Sequence, residues 1–158
     1  MSAVKTVETF MTALQSGDLE LAASLMSDDF ILGGLTPTPL TKSEFLALQS
    51  EWLAAMPDFS FNLSDVHRID DEVQALIRIT GTHTGDLSLP IYGLQAVGAT
   101  GLAVGLPQVE AAFQFEHDKI VGMRVESVTG GGLTGLLQQI GAELPLQPRI
   151  SNITNLSE

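Results

Sequence analysis

The stretch from Val73 to His83 constrains the fold of this chain more than any other, because apolar and polar residues alternate along most of its length. One set of positions carries Val, Ala, Ile, Ile, Gly and His, and the positions between carry Gln, Leu, Arg, Thr and Thr. Side chains of a strand point to opposite faces in turn, so the pattern predicts a strand with one buried face. His83 continues the apolar face, which places an ionisable ring where a core or a cavity should be.

The residues before this strand have helical spacing. Apolar residues at three- and four-residue steps predict a first helix from Val4 to Leu14, which Gly17 ends, and Asp18 is expected to cap a short second helix. A third helix is expected to begin after Thr41, where a glutamate three residues on completes a capping-box pattern, and to end before Pro57.

Short apolar or alternating runs separated by turns predict the remaining strands. A turn at 27–29 leads into the first strand, and turns at 70–72 and 117–119 predict antiparallel hairpins. The glycine-rich stretch from 85 to 107 is expected to be a flap or a plain linking loop with a short strand near its end. A last helix carries the apolar residues between 133 and 140. The predicted strands cover residues 30–32, 59–69, 73–83, 102–104, 109–116 and 120–128.

Length and composition bound the possible classes of protein. With 158 residues, 44% of them hydrophobic, the chain suits one domain, which we expect at 1–144, followed by a flexible tail at 145–158. The net charge of -12 argues against partners such as nucleic acid and anionic membranes. The absence of cysteine excludes thiol catalysis and the usual structural zinc sites. Without a signal-like N-terminus or a long apolar run, we expect a cytoplasmic protein.

The order of elements predicts an α+β fold, because helices are followed by a run of antiparallel strands. The apolar face of such a sheet must pack on the helices, so the sheet is expected to curl. The space inside the curl is the natural pocket for a small molecule.

Three strings give the chain a resemblance to a known family. They are Met56-Pro57-Asp58-Phe59, Gly81-Thr82-His83-Thr84-Gly85 and the helix ending Leu136-Leu137-Gln138-Gln139-Ile140-Gly141. In this order they resemble the SnoaL-like polyketide cyclases of the nuclear-transport-factor-two-like superfamily, over roughly Val4 to Gly141. The resemblance implies a cone-shaped barrel, with N-terminal helices packed on a strongly curved, mainly antiparallel sheet and a C-terminal helix. It also implies a homodimer through the outer sheet face and chemistry without metal or cofactor.

The resemblance further implies acid/base chemistry on a ketide-like, apolar small molecule, with an aspartate near the end of the last strand as general acid and base. Counting along this chain places that aspartate near Val128 or on Gly132, and neither residue can move a proton. Two functions therefore stay open. One is a cofactor-free cyclase or isomerase, and the other is a non-catalytic ligand-binding or dimeric interaction module.

Four residues are candidates for the chemistry. Glu126 would be the acid and base, Arg124 or His83 would donate to a developing oxyanion, and Glu110 would supply a second carboxylate from the neighbouring strand. The alternative is that Arg124 and Glu126 form an ion pair on a solvated or dimer-facing surface, and that His83 is a core-edge histidine bonded to a neighbouring carbonyl.

Periodicity of the last strand favours the surface alternative, because Val121, Met123 and Val125 make its more apolar face. The chain has three histidines with no tight spacing, so no metal site is expected. Apolar residues on the predicted core faces could line the pocket or simply fill the core. The candidates for the substrate pocket are Phe30, Trp52, Ile79 and Phe113.

Overall fold

A computed structural model describes residues 2–142, and the tail expected at 145–158 lies outside the described residues. Its helices carry the capping residues that the sequence predicts. Gly17 ends the first helix in the left-handed conformation, with φ 86°. Asp18 accepts a hydrogen bond from the Leu21 N–H, and Thr41 forms a capping box with Glu44. The helices are α1 (Ala3–Ser16), α2 (Leu19–Ser24), α3 (Lys42–Ala55) and α4 (Gly132–Gln139).

The strands form one six-stranded sheet and two small two-stranded sheets, and they confirm the α+β fold. They are β1 (Met26–Gly33), β2 (Leu40–Thr41), β3 (Ser64–Ile69), β4 (Glu72–Ile77), β5 (Thr80–Thr82), β6 (Leu87–Leu89), β7 (Leu94–Val97), β8 (Ala103–Gly105), β9 (Val109–Glu116) and β10 (Lys119–Val125). The large sheet has the order β2-β1-β10-β9-β4-β3, and its pairs are antiparallel except for the parallel pair β1 and β10. The small sheets pair β5 with β8 and β6 with β7. Buried side chains from the helices and from the large sheet form one apolar core.

From Val73 to His83 the predicted face is buried throughout, but the backbone changes its hydrogen-bond partners within the stretch. The odd positions from Val73 to His83 are all buried, as the alternation predicts. The single strand expected there is wrong, however, because it divides into β4 and β5. Arg78 donates its N–H to the Phe61 carbonyl over 2.7 Å, and its own carbonyl accepts from the Asn62 side chain over 2.7 Å. The backbone thus leaves the large sheet at this point for a new partner.

Three other boundaries differ from the prediction. The strand expected from 59 begins only at Ser64, as β3, since Asn62 before it takes a positive φ of 46°. β3 is itself irregular at Asp65, where φ is 52° and the pairing with β4 shifts between Ser64 and His67. The turn expected at 27–29 belongs to β1, whose pairing with β10 is irregular between Met26 and Ile31. The last strand ends at Val125 rather than at 128.

The glycine-rich stretch holds more structure than expected. The hairpin of β6 and β7, joined by a 3-10 turn at Pro90–Tyr92, was not predicted, and the short strand expected at 102–104 lies one residue later as β8. No helix among the described residues is long and apolar enough to cross a membrane.

Candidate functional site

His83 directly follows β5 and is almost completely buried, with 1% of its surface exposed. Its backbone N–H donates to the Leu102 carbonyl over 2.9 Å, and its carbonyl accepts from the Gly101 N–H over 2.7 Å. These two bonds extend the pairing of β5 with β8 by one residue. The ring is therefore directed inward by the regular alternation of the strand.

The two ring nitrogens of His83 have different surroundings. Nδ1 lies 2.9 Å from the Thr100 hydroxyl oxygen and 3.3 Å from the Thr100 backbone nitrogen, which donates to it. Nε2 is buried and has no hydrogen-bond partner among the described residues. The prediction of a carbonyl partner is therefore wrong. A hydroxyl and a backbone amide bond to Nδ1 instead. Because buried polar atoms are normally paired, the free Nε2 needs an explanation.

Two anchors fix the backbone on either side of His83. The Asp58 carboxylate accepts from the Thr82 N–H over 2.7 Å and from the Thr82 hydroxyl over 2.8 Å. The N–H groups of Thr84 and Gly85 both donate to the Ala55 carbonyl at the end of α3, over 3.1 and 2.9 Å. The anchors join the two strings at 56–59 and 81–85 in space. Sequence analysis noted Asp58 and Thr82 only as members of two separate strings and did not predict this pairing.

Three further buried polar atoms lack a partner within the described part of the chain: Gln49 Oε1, Trp52 Nε1 and Tyr92 Oη. Gln49 and Trp52 belong to α3, and Tyr92 ends the 3-10 turn after β6, a strand that contacts α3. Gln49 uses its Nε2 to donate to the Leu14 carbonyl over 3.1 Å. Sequence analysis did not single out Gln49 or Tyr92, because neither interrupts an apolar pattern in a way that distinguishes it from a surface residue.

Glu110, Arg124 and Glu126 come together, but on the outer face of the sheet. Each is exposed, and they line a cleft of about 450 Å³. Glu126 Oε1 accepts from the Glu110 N–H over 3.1 Å. The Arg124 guanidinium lies 3.6 Å from a carboxylate oxygen of Glu72, which replaces Glu126 as its ion-pair partner. None of the three shares a buried space with His83.

The Glu72 carboxylate is part of this outer network. A hydrogen bond from the Gln114 side chain lowers the pKa of Glu72, and the charge of Arg124 lowers it further. Since Arg124 is exposed and Glu72 is partly exposed, water screens the interaction.

No carboxylate occupies the expected acid position. Val128 is half-buried and Gly132 is the first residue of α4. Within residues 2–142 the buried polar side chains are those of Thr6, Gln49 and His83. In that range, no group of three or more histidine, aspartate and glutamate side chains could hold a metal ion.

The four residues expected to line the pocket are all buried in the apolar core. Phe30 stacks on Phe45 with ring centres 5.8 Å apart, and Phe113 meets Phe10 edge to face at 6.4 Å. Trp52 stacks on Phe59 at 5.4 Å. Ile79 is exposed by only 3%. Phe30, Ile79 and Phe113 pack in this core, and Trp52 also has a polar atom, Nε1, without a partner among the described residues. That the four residues line a pocket stays a prediction.

Comparison with known proteins gives a family and a fold. A model of the SnoaL-like domain matches residues 7–123. No curated protein matches the chain. AclR from Streptomyces galilaeus, a proposed hydroxylase, is 20% identical with a TM-score of 0.68, over 94% of this chain and 85% of its own. IdmH from Streptomyces antibioticus, a proposed polyketide cyclase, is 21% identical with a TM-score of 0.66, over 90% of this chain and 100% of its own.

An LEH-like epoxide hydrolase from M. tuberculosis also has a similar structure, with a TM-score of 0.62 and 16% identity over 87% of this chain and 91% of its own. At these identities the likeness to solved structures establishes the fold alone.

Proposed function

Because the chain belongs to the SnoaL-like domain family, we propose that it binds a small, largely apolar molecule in its interior. Nε2 of His83 holds a polar atom of that molecule. The observation that carries the proposal is the burial of this nitrogen without a partner.

The energetics support a bound partner at this nitrogen. A buried polar group that finds no hydrogen bond costs about 1–3 kcal/mol. His83 is only 1% exposed, and Trp52 Nε1 on α3 is another buried polar atom without a partner among the described residues. A small apolar molecule with one or two polar atoms suits such surroundings, because the apolar body is desolvated while its polar atoms are satisfied.

A second candidate is a cofactor-free cyclase or isomerase acting on a ketide-like molecule. Its support is that His83 is a titratable group in the buried part of the described chain, and histidine is a frequent proton donor or acceptor in catalysis. Names such as proposed polyketide cyclase and epoxide hydrolase among the structural neighbours agree with such chemistry. Binding alone accounts better for an interior in which residues 2–142 place no buried carboxylate.

Replacement of His83 tests the proposal. Titration of 1-indanone, a compact bicyclic ketone, is followed by ligand-observed NMR for the wild type and for His83→Leu. Loss of one hydrogen bond in a buried site predicts affinity lower by about tenfold, with a melting temperature changed by only a few degrees. His67→Leu is the matched control, because His67 is a partly exposed histidine on β3.

Two outcomes contradict this proposal: no binding of 1-indanone by the wild type, or a collapse of stability in His83→Leu with unchanged affinity. The same samples, incubated with an open-chain diketone, test for turnover. A rate that depends on His83 would favour the enzyme, and a ligand recovered unchanged would favour the binder. The homodimer and the cytoplasmic location expected from the sequence stay predictions.

A further inference from the structure

The hydrogen bonds between Thr100 and Nδ1 of His83 bear on which ring nitrogen carries the proton. The Leu102 N–H donates to the Thr100 hydroxyl oxygen over 3.2 Å, so this oxygen already serves as an acceptor. Its own hydrogen is then free to point at His83 Nδ1, 2.9 Å away. The Thr100 backbone N–H donates to the same nitrogen over 3.3 Å.

These contacts fix the tautomer by simple chemistry. A ring nitrogen that accepts from an N–H cannot itself carry a proton, since two hydrogens would then face each other. A neutral imidazole has one N–H, which must therefore be on Nε2. Nε2–H is thus a donor that is buried and without a partner among the described residues.

We propose that Thr100 is the positioning residue that holds His83 in the Nε2–H tautomer, so that the site selects ligands that present a hydrogen-bond acceptor. Carbonyl, ether and hydroxyl oxygens meet this demand, whereas a group that only donates, such as an indole N–H, is rejected. The selection of ligands rests on the proposed function, whereas the tautomer of His83 does not.

The same arrangement restricts any chemistry at the site. Nε2–H can stabilise negative charge that develops on a ligand oxygen, in the manner of an oxyanion hole. It cannot accept a proton from the ligand while Thr100 donates to Nδ1. His83 is therefore an electrophilic group rather than a base.

The tautomer is measured directly by long-range ¹H–¹⁵N correlation of the imidazole ring in ¹⁵N-labelled protein. For the wild type we expect a protonated Nε2 and an unprotonated Nδ1 on His83. Thr100→Ser keeps the hydroxyl and should give the same pattern. Thr100→Val keeps the shape and the longer bond from the backbone N–H, at 3.3 Å, but loses the shorter contact with the hydroxyl, at 2.9 Å. The ring is then held less firmly, so a minor share of the Nδ1–H tautomer is expected beside the Nε2–H form. The exposed His117 is an internal control whose signals should not move.

Two results of this measurement would overturn the inference. A proton on Nδ1 in the wild type would refute the tautomer. A Thr100→Val spectrum identical to that of the wild type would refute the role of the Thr100 side chain.

A second experiment compares the affinities of two probes of similar size. 1-Indanone offers a hydrogen-bond acceptor, and indole offers a donor. We expect the wild type and Thr100→Ser to prefer 1-indanone, and Thr100→Val to lose several-fold of that preference. An Nε2–H tautomer with no binding of either probe would contradict only the proposed function. Equal affinity for both probes despite that tautomer would overturn the selection of acceptors.

Discussion

At the scale of single residues, Asp58 and Thr100 hold the short stretch that carries His83. Asp58 fixes the backbone and the hydroxyl of Thr82, the residue directly before His83, while Thr100 holds the ring itself. The hydrogen bonds from the Thr82 backbone and then from its hydroxyl lower the pKa of Asp58. Site geometry and acid stability are therefore linked through one exposed carboxylate.

The pKa shift of Asp58 predicts a loss of stability in acid. Its folded-state pKa lies below its unfolded value, so the contribution is present above the unfolded pKa and is lost as the pH falls through the folded pKa. Asp58→Asn should lower the melting temperature at neutral pH, and the gap to the wild type should narrow in acid. Melting curves from neutral to acid pH measure this, with Asp71→Asn as the control that removes an exposed charge away from Thr82. A gap that does not change with pH would contradict the prediction.

At the scale of elements, the end of β1 depends on a close backbone contact with β10. Gly34 follows β1 with φ 90°, and a Cβ built on it would lie 1.8 Å from the Val125 carbonyl oxygen. The Ser127 hydroxyl donates to the Gly34 carbonyl over 3.1 Å in the same place. Only glycine suits both the left-handed conformation and the contact. The preceding Gly33 has open space around its Cβ position.

Alanine at the two neighbouring glycines should therefore have different effects. Gly34→Ala is expected to lower the free energy of unfolding by about 2 kcal/mol or more, from the left-handed strain and the clash together. Gly33→Ala should stay within about 0.5 kcal/mol of the wild type. Urea denaturation of both variants measures the difference. Similar losses in the two would show that the contact of β1 with Val125 is not tight.

At the scale of the whole molecule, one apolar core joins the helices to the large sheet. Phe113 lies in the middle of this core, on β9, where it is paired with Val73 and Met123 of the neighbouring strands. Its ring meets Phe10 of α1 edge to face. Phe115, two residues along the same strand, is only partly buried. A core of this kind should unfold as one cooperative unit.

Phe113→Ala should destabilise the entire described domain, by about 3–5 kcal/mol for a buried aromatic residue. Phe115→Ala is the matched control and should cost clearly less. Denaturation followed by near-UV and far-UV circular dichroism should give coincident transitions in both variants. If Phe113→Ala instead kept its stability and changed only the affinity for 1-indanone, Phe113 would be a pocket residue rather than a core residue.

Sequence alone predicted the features that depend on neighbours along the chain. Helix caps at Gly17, Asp18 and Thr41 are correct, because each cap uses a residue within a few positions. The buried face from Val73 to His83 is also correct, because alternation survives a change of hydrogen-bond partner. The order of helices and strands predicted the fold class, and the three strings predicted the family.

Where the pattern misled, a local irregularity was the cause. On β10 the expected apolar face included Val121, yet Ile120 is the buried residue and Val121 is only half-buried. The pairing of β10 with β9 shifts between Ile120 and Gly122, and one extra residue moves a side chain to the other face. Counting by twos cannot detect such a bulge, since it depends on the neighbouring strand.

Tertiary structure alone decided the partners of the polar groups. Thr82 is 24 positions from Asp58, and His83 is 17 positions from Thr100, so no local pattern pairs them. Folding likewise placed Arg124 beside Glu72 on the outer face and left Nε2 of His83 buried without a partner among residues 2–142. The sequence determines which faces avoid water, because burial follows local periodicity. Hydrogen bonds require distances of about 3 Å between specific atoms, which only the packed chain brings together.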